Sequence, residues 1–288
     1  QKLGGLRQAR ESLWVLSPIV ASAPSGPAAM RRFHGSMVGR VRSAAARLGL
    51  REPALWTFSP EHRPYVGALG ESVAVYQAAD EPAAFSRDPE ATAALERDHI
   101  AAVDLVLVAS EGLLRSRQNS GKAHRLPNAA DVRHFKRVLV GDARAPDGDL
   151  RAALLAGASR PGDLARLGRP IVLYGGAAYD WFDFDLLSEV ARRCAGVSFA
   201  LVGPARPGQA GRRLPDNVHL LGRRGYDLFP LYVLGCDAAM LPWRDGVFSR
   251  NADPIVLYEK LLCGKPVVAT PFPAATEKGD LVLTARDA

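Results

Sequence analysis

The stretch that decides the reading is Asn251-Ala-Asp-Pro-Ile-Val-Leu-Tyr-Glu-Lys-Leu-Leu-Cys-Gly-Lys-Pro-Val-Val-Ala-Thr270. Asp253 is a residue type that caps helices, and Pro254 suits a first helical position, where its missing N–H costs nothing. The pattern predicts a helix over Pro254–Cys263, ended by Gly264, then a buried strand over Pro266–Ala269. Such a start leaves the N–H groups of Ile255 and Val256 without partners inside the helix. At a cleft they would form an anion site suited to a diphosphate. Glu259 lies about one turn further on, where its carboxylate can accept bonds from vicinal hydroxyls such as a ribose presents.

Outward from this segment, short apolar runs alternate with amphipathic stretches. Expected strands are Leu13–Leu16, Ala54–Phe58, Ser72–Tyr76, Leu105–Ala109 and Ala123–Leu126, then Ile171–Tyr174, Ser198–Val202, Val218–Leu221 and Ala238–Leu241. Helix-length segments lie between them, among them Ala28–Leu50, Pro89–Ala102, Phe184–Ala195 and Leu228–Leu234. Nearly all-apolar strands separated by helices mean parallel sheets covered on both faces. The class is α/β, with two Rossmann-like domains whose sheets face a central cleft. The region from Val138 to Arg169, with Gly141–Asp149 as a linker and a helix from Leu150, separates the two series. The expected domains are 1–168 and 169–288. Gln1 is not a methionine and Leu281–Ala288 stops where another element would begin, so truncation at both ends is expected.

The 288 residues are 48% hydrophobic and 23% charged, with a net charge of +7. That composition is ordinary for a globular protein and excludes collagen-like repeats and a coiled coil. No apolar run approaches the ~20 residues of a membrane-spanning helix. Only six of the 37 basic residues are lysine. The arginines are scattered, without interleaved aromatics, so nucleic acid is not an expected partner. Cys194, Cys236 and Cys263 form no CxxC or zinc spacing, which points to packing in a reducing compartment. No GxGxxG follows a strand and no GxxxxGK[ST] is present, which argues against NAD binding and a P-loop.

The chain resembles the GT-B glycosyltransferases of the group called family 4 or group 1. The second Glu of that group's Glu-x7-Glu motif matches Glu259, and its Gly-x-Pro-Val-Val-Ala-Thr strand matches Gly264–Thr270. The first Glu, which contacts the donor sugar in the family, is replaced by Asn251. Bacterial cell-surface-polysaccharide members of the TuaH type are similar in this respect. Val15–Pro18, Leu55–Thr57, Val75–Tyr76 with Asp80, and Leu126–Asn128 with Asp131 and Phe135 follow that subgroup's N-terminal pattern. Leu173–Gly176, Leu201–Pro204 with Gly203, Asn217–Gly222 and Cys236–Pro242 follow its C-terminal one. The resemblance implies a hexosyltransferase-like enzyme that transfers sugar from a nucleotide diphosphate sugar, with retention, in cell-surface or extracellular polysaccharide synthesis. It also implies a glycan or lipid-linked acceptor, a cytoplasmic location at the inner membrane face, and no cofactor or metal. A non-catalytic binding or partner subunit, or an epimerase on the same fold, remains an alternative reading.

Each candidate residue has a bland reading beside the functional one. Glu259 is either a ribose ligand or a solvated carboxylate, and Asn251 either a donor-sugar contact with a catalytic role or a turn residue. Asp253 enters as the cap of the donor helix. Gly175 and Gly176 either approach a phosphate or make a tight turn. The Arg and Lys that the family places after this glycine are missing, since Ala177-Ala-Tyr-Asp180 follows. Arg244 and Arg250 are substitutes for them or solvated loop arginines. Arg223 and Arg224 sit where the family contacts the base. Asp80 is a catalytic base facing the acceptor or a turn cap. Asp183-Phe-Asp185 matches the metal-holding Asp-x-Asp of another glycosyltransferase fold, yet it opens a helix, where carboxylates cap N–H groups. On Ala28–Leu50, Met30, Phe33, Met37, Val41, Ala44 and Leu48 share one face, flanked by Arg40, Arg47 and Arg51 on one edge and by Arg31 and Arg42 on the other side. That face either packs on the core or docks on anionic lipid.

Overall fold

The computed structural model describes residues 5–17, 27–140, 160–206 and 213–288. The expected linker 141–149, the helix from Leu150, and the side chains of Met30 and Arg31 lie outside the described residues. The chain forms two compact units, Gln1–Leu126 and Pro127–Ala288. The point near Arg169 where a boundary was expected lies inside the second unit. The physical reason is the helix Val132–Val140, whose Phe135 is fully buried with Leu164, Leu173 and Phe229.

The second unit is a six-stranded sheet of β7 (Ile171–Gly175), β8 (Ser198–Val202), β9 (Val218–Gly222), β10 (Ala238–Leu241), β11 (Val267–Ala269) and β12 (Leu283–Thr284). All pairings are parallel. The spatial order is β12-β11-β10-β7-β8-β9, so the chain runs outward from β7 to β9 and then restarts at β10 on the other side. This is the doubly wound order, with its switch point between β7 and β10. Alternation along the central strands sorts side chains to two cores. Tyr174, Phe199 and Leu201 join one with Phe182, Leu187, Leu241 and Trp243, while Ile171, Leu173, Ala200 and Val202 join the other with Phe229, Tyr232 and Val233. Every residue of β8 is buried, as a strand covered on both faces requires.

The first unit holds a four-stranded parallel sheet in the order β3-β4-β5-β6: Ala54–Thr57, Val73–Ala78, Leu105–Val108 and Ala123–Arg125. The strand expected at Leu13–Leu16 forms as β2 (Leu13–Ser17), but it does not join that sheet; it pairs antiparallel with β1 (Gly5–Arg10) in a separate two-stranded ribbon. The helix Pro27–Arg47 buries Met37 and half-buries Phe33, Val41 and Ala44, so its apolar stripe is largely turned toward protein. A buried polar network crosses the unit. Tyr76 Oη donates to Glu96 Oε1 at 2.8 Å, and Arg117 bonds Glu96 at 2.8 Å and Glu81 at 3.1 Å.

Candidate functional site

Beyond the carboxyl ends of β7, β8 and β9 lies a cavity of about 310 Å³, lined by Gly176, Ala177, Gly203, Arg223, Tyr226, Phe229, Ile255, Val256 and Glu259 among others. Strand ends beside the switch point are where ligands of doubly wound sheets bind. Two glycines form its floor. Gly203 has φ 148°, and a Cβ there would fall 1.9 Å from the Gly176 carbonyl oxygen, so only glycine permits this backbone approach. Gly175 is required by packing, because a Cβ would meet the Phe229 ring at 2.4 Å.

These glycines do not offer their own N–H groups to an anion. Gly176 N–H donates to the Val202 carbonyl at 2.9 Å and Gly203 N–H to the Gly222 carbonyl at 3.0 Å, so both continue the sheet ladder. The helix Ile255–Leu262 supplies donors instead. Ile255 and Val256 line the cavity and open this helix, so their N–H groups have no intrahelical partner.

The expectation that Asp253 caps this helix is corrected. Pro254 holds the cap position, and Asp253 is buried one residue earlier. Its Oδ2 accepts from the Asn128 N–H at 2.7 Å and its Oδ1 from the Tyr258 hydroxyl at 2.7 Å, while Asn128 Nδ2 donates to the Asp253 carbonyl. Asp253 therefore anchors the start of the helix to the segment after Leu126 and does not line the cavity.

Glu259 is 2% exposed and faces the cavity. Its Oε1 accepts a 2.7 Å bond from the Tyr226 hydroxyl, which burial and this carboxylate push well above the ordinary phenol range. Tyr226 is itself held by His134, whose ring stacks on it at 4.4 Å and 13° and whose Nε2 meets the Tyr226 carbonyl at 2.9 Å. A lone aromatic in a polar loop was the only sequence signal for Tyr226, and nothing local linked it to a helix 33 positions away.

The arginines divide. Arg223 is exposed at the rim. Arg224 also lines the cavity, but its guanidinium bonds Asp163 at 2.7 Å and Tyr232 at 3.0 Å. Arg244 bonds Asp185 at 2.8 Å and Asp183 at 3.3 Å, and Arg250 bonds Asp245 at 2.6 Å. Neither lines this cavity, so the structure does not bring them to the site as diphosphate substitutes. Asn251 ends the short helix Val247–Asn251, where its Nδ2 donates to the Val247 carbonyl at 2.9 Å, and it too lies off the cavity. Asp80 follows β4 in the first unit, and the surrounding protein raises its carboxyl above the ordinary range. Asp183 caps the helix Phe184–Arg193 by accepting from Asp185 N–H at 3.0 Å and Leu186 N–H at 3.1 Å. Among the described residues no group of three or more His, Cys, Asp or Glu could hold a metal.

Residues 169–288 match the family described as Glycosyl transferases group 1. No curated protein matches the chain. Among solved structures, HepE of Anabaena in complex with UDP and glucose superposes with a TM-score of 0.62 at 18% identity, over 94% of this chain and 73% of that one. Sucrose-phosphate synthase from Thermosynechococcus elongatus gives 0.62 at 16% identity, over 94% and 69%. A UDP-forming α,α-trehalose-phosphate synthase from Burkholderia xenovorans gives 0.55 at 13%, over 89% and 66%. At these identities the likeness shows the fold, which is the α/β architecture of GT-B glycosyltransferases.

Proposed function

We propose that the protein transfers a sugar from a nucleoside diphosphate sugar to an acceptor hydroxyl. The observation that carries the reading is the buried Glu259 carboxylate. It is held by Tyr226 one helical turn from the N–H groups of Ile255 and Val256, in a cavity at the strand ends. That spacing suits a ribose hydroxyl pair at Glu259 and a diphosphate at the helix start. The family match over 169–288 and the UDP and UDP-glucose bound in the HepE structures support the same donor class.

In the reaction the bond between the anomeric carbon and the diphosphate oxygen breaks. The acceptor oxygen bonds that carbon and gives up its proton, and the nucleoside diphosphate leaves. The helix start would stabilise charge growing on the leaving group, and Glu259 would fix the ribose, so catalysis is mainly positioning and electrostatics. Retention, the donor-sugar contact of Asn251, an acceptor base at Asp80 and freedom from metal belong to the same proposal. So do the roles in nucleotide-sugar binding of Gly176, Gly203 and Arg223 at the cavity, with Gly175 shaping the turn after β7 and Asp253 anchoring the helix start, whereas Arg244 and Arg250 stay with their aspartates off the cavity. An acceptor in cell-surface polysaccharide synthesis, lipid-linked at the cytoplasmic membrane face, completes it. The exposed Arg40, Arg47 and Arg51 are the groups that would meet anionic lipid. Among the described residues no helix is long and apolar enough to cross a membrane.

A binding subunit without catalysis is the second reading. It is favoured by the engagement of Asn251 with Val247, and of Arg244 and Arg250 with aspartates. Incubating the full chain with a panel of nucleotide sugars tests both. Hydrolysis or transfer supports the enzyme, whereas donor binding without turnover supports the subunit.

A further inference from the structure

Lys260 is completely buried, directly after Glu259 on the donor-site helix. Its Nζ donates to the Val256 carbonyl at 3.0 Å and lies 5.8 Å from the centre of the Phe229 ring. It also lies 3.7 Å from the point that a Gly175 side chain would occupy. The ammonium thus sits under the turn at the end of β7, behind Phe229 and Val256, which both line the cavity. A buried ammonium without a tight ion pair among the described residues is costly.

The titratable groups facing it are few. Glu259 shares its helix, Cys263 caps that helix's end, and Cys236 follows the helix Phe229–Gly235. Burial pushes Cys236 up to about 11 and Cys263 up to about 12, so both thiols are neutral. Glu259 is the only carboxylate among these neighbours, and its Oε1 is engaged by Tyr226. Burial outweighs the pull of Glu259 and brings Lys260 down to about 8.

We propose that Lys260 is the positioning cation of the donor site, and that a diphosphate bound above the Gly175–Gly176 turn is accompanied by protonation of Lys260. This rests on the donor-site reading given above. It assigns the missing countercharge to a residue inside the helix, where the strand-end loop Ala177–Asp180 carries no basic side chain. The anion and the ammonium are separated by protein of low polarisability, where attraction between charges is weakly screened. Binding therefore restores the lysine to its charged form and draws one proton from solvent for each site that was neutral.

The test is calorimetric titration of the full chain with UDP, GDP and ADP at pH 8 in buffers of different ionisation enthalpy, repeated at pH 7 and pH 9. For the nucleotide that binds, about half a proton is taken up at pH 8, and affinity weakens about tenfold from pH 7 to pH 9. The diphosphate's own ionisation works in the opposite direction and cannot produce that loss. Lys260→Met, which keeps length and apolar fit, retains the fold by circular dichroism but loses both the proton uptake and the pH dependence. Binding with no buffer-dependent heat, or identical uptake in the parent and Lys260→Met, overturns the role of Lys260 and leaves the donor site standing. If none of the three diphosphates binds at pH 7, the donor-site reading falls and this proposal falls with it.

Discussion

The Tyr226 hydroxyl donates to Glu259 Oε1 at 2.7 Å, joining the loop after β9 to the first turns of the helix Ile255–Leu262. One carboxylate oxygen is thereby fixed, and the other is left to be oriented by the same bond. The expected consequence is that Glu259→Ala weakens nucleotide diphosphate binding by about 1.5–3 kcal/mol, the range for a hydrogen bond to a charged group, without unfolding the protein. Tyr226→Phe loosens the carboxylate and costs about 0.5–1.5 kcal/mol. Equal affinities for UDP, GDP and ADP in mutant and parent, measured by calorimetry, would remove Glu259 from the site.

The close approach of Gly203 to Gly176 gives a sharper test of the cavity floor. A Cβ at Gly203 would overlap the Gly176 carbonyl, and φ 148° strains any other residue. Gly203→Ala is expected to displace the turn after β7 and lower donor affinity at least tenfold. Gly246→Ala, with nothing within 4 Å of the added atom, leaves affinity unchanged. Equal binding by the two variants would show that the floor does not shape the site.

In the first unit, Arg117 and Glu96 are both under 10% exposed and share a bond network with Tyr76 and Glu81. Removing one partner strands a buried charge, so Arg117→Ala should lose about 3–5 kcal/mol in urea denaturation. Pairing Arg117→Met with Glu96→Gln leaves only the partly exposed Glu81 carboxylate without its cation and recovers part of the loss. A loss below 1 kcal/mol in the single variant would mean that the network is solvated.

His99 predicts a pH response. Thr57 Oγ1 donates to the Val75 carbonyl at 2.9 Å, so it must accept from His99 Nε2, also at 2.9 Å, and the buried Nδ1 is left without a partner. Burial, with His62 and Arg63 nearby, lowers His99 to about 4. The unfolded chain binds this proton at its ordinary value of about 6.5 and the folded one does not. Stability is therefore expected to fall as pH drops from about 6.5 to about 4, with no further loss from this group below that. Thermal melts of the parent should show the fall, and His99→Leu should flatten it. Parallel curves for the two would reject the assignment.

Arg244 bridges Asp183 and Asp185, and Asp183 caps its helix. With those carboxylates so engaged, EDTA should leave turnover nearly unchanged. Asp183→Asn with Asp185→Asn should cost under about 1 kcal/mol, because Asn also caps and the lost ion pair is exposed. Activity lost in EDTA and restored by manganese would move the donor site to these aspartates.

Local pattern determined much of this protein. Short apolar runs identified the parallel strands from Ala54 to Ala269, and the order helix, glycine, strand across 251–270 placed Glu259 and the helix start together, since a periodicity of 3.6 or 2 is visible in neighbouring residues. Tertiary structure alone decided what lay beyond that range. Asp253 reads as a helix cap, yet it bonds Asn128, 125 positions away. Arg224 reads as a base contact, and Arg244 and Arg250 as diphosphate substitutes or solvated loop arginines, yet aspartates hold all three. Lys260 reads as an ordinary helix lysine, yet it lies wholly inside. Leu13–Leu16 reads as one more parallel strand, yet the strand formed there pairs outside the main sheet. The reason is common to all four: spacing along the chain states which groups share a face, while the identity of the group that meets them is set by packing among elements distant in sequence.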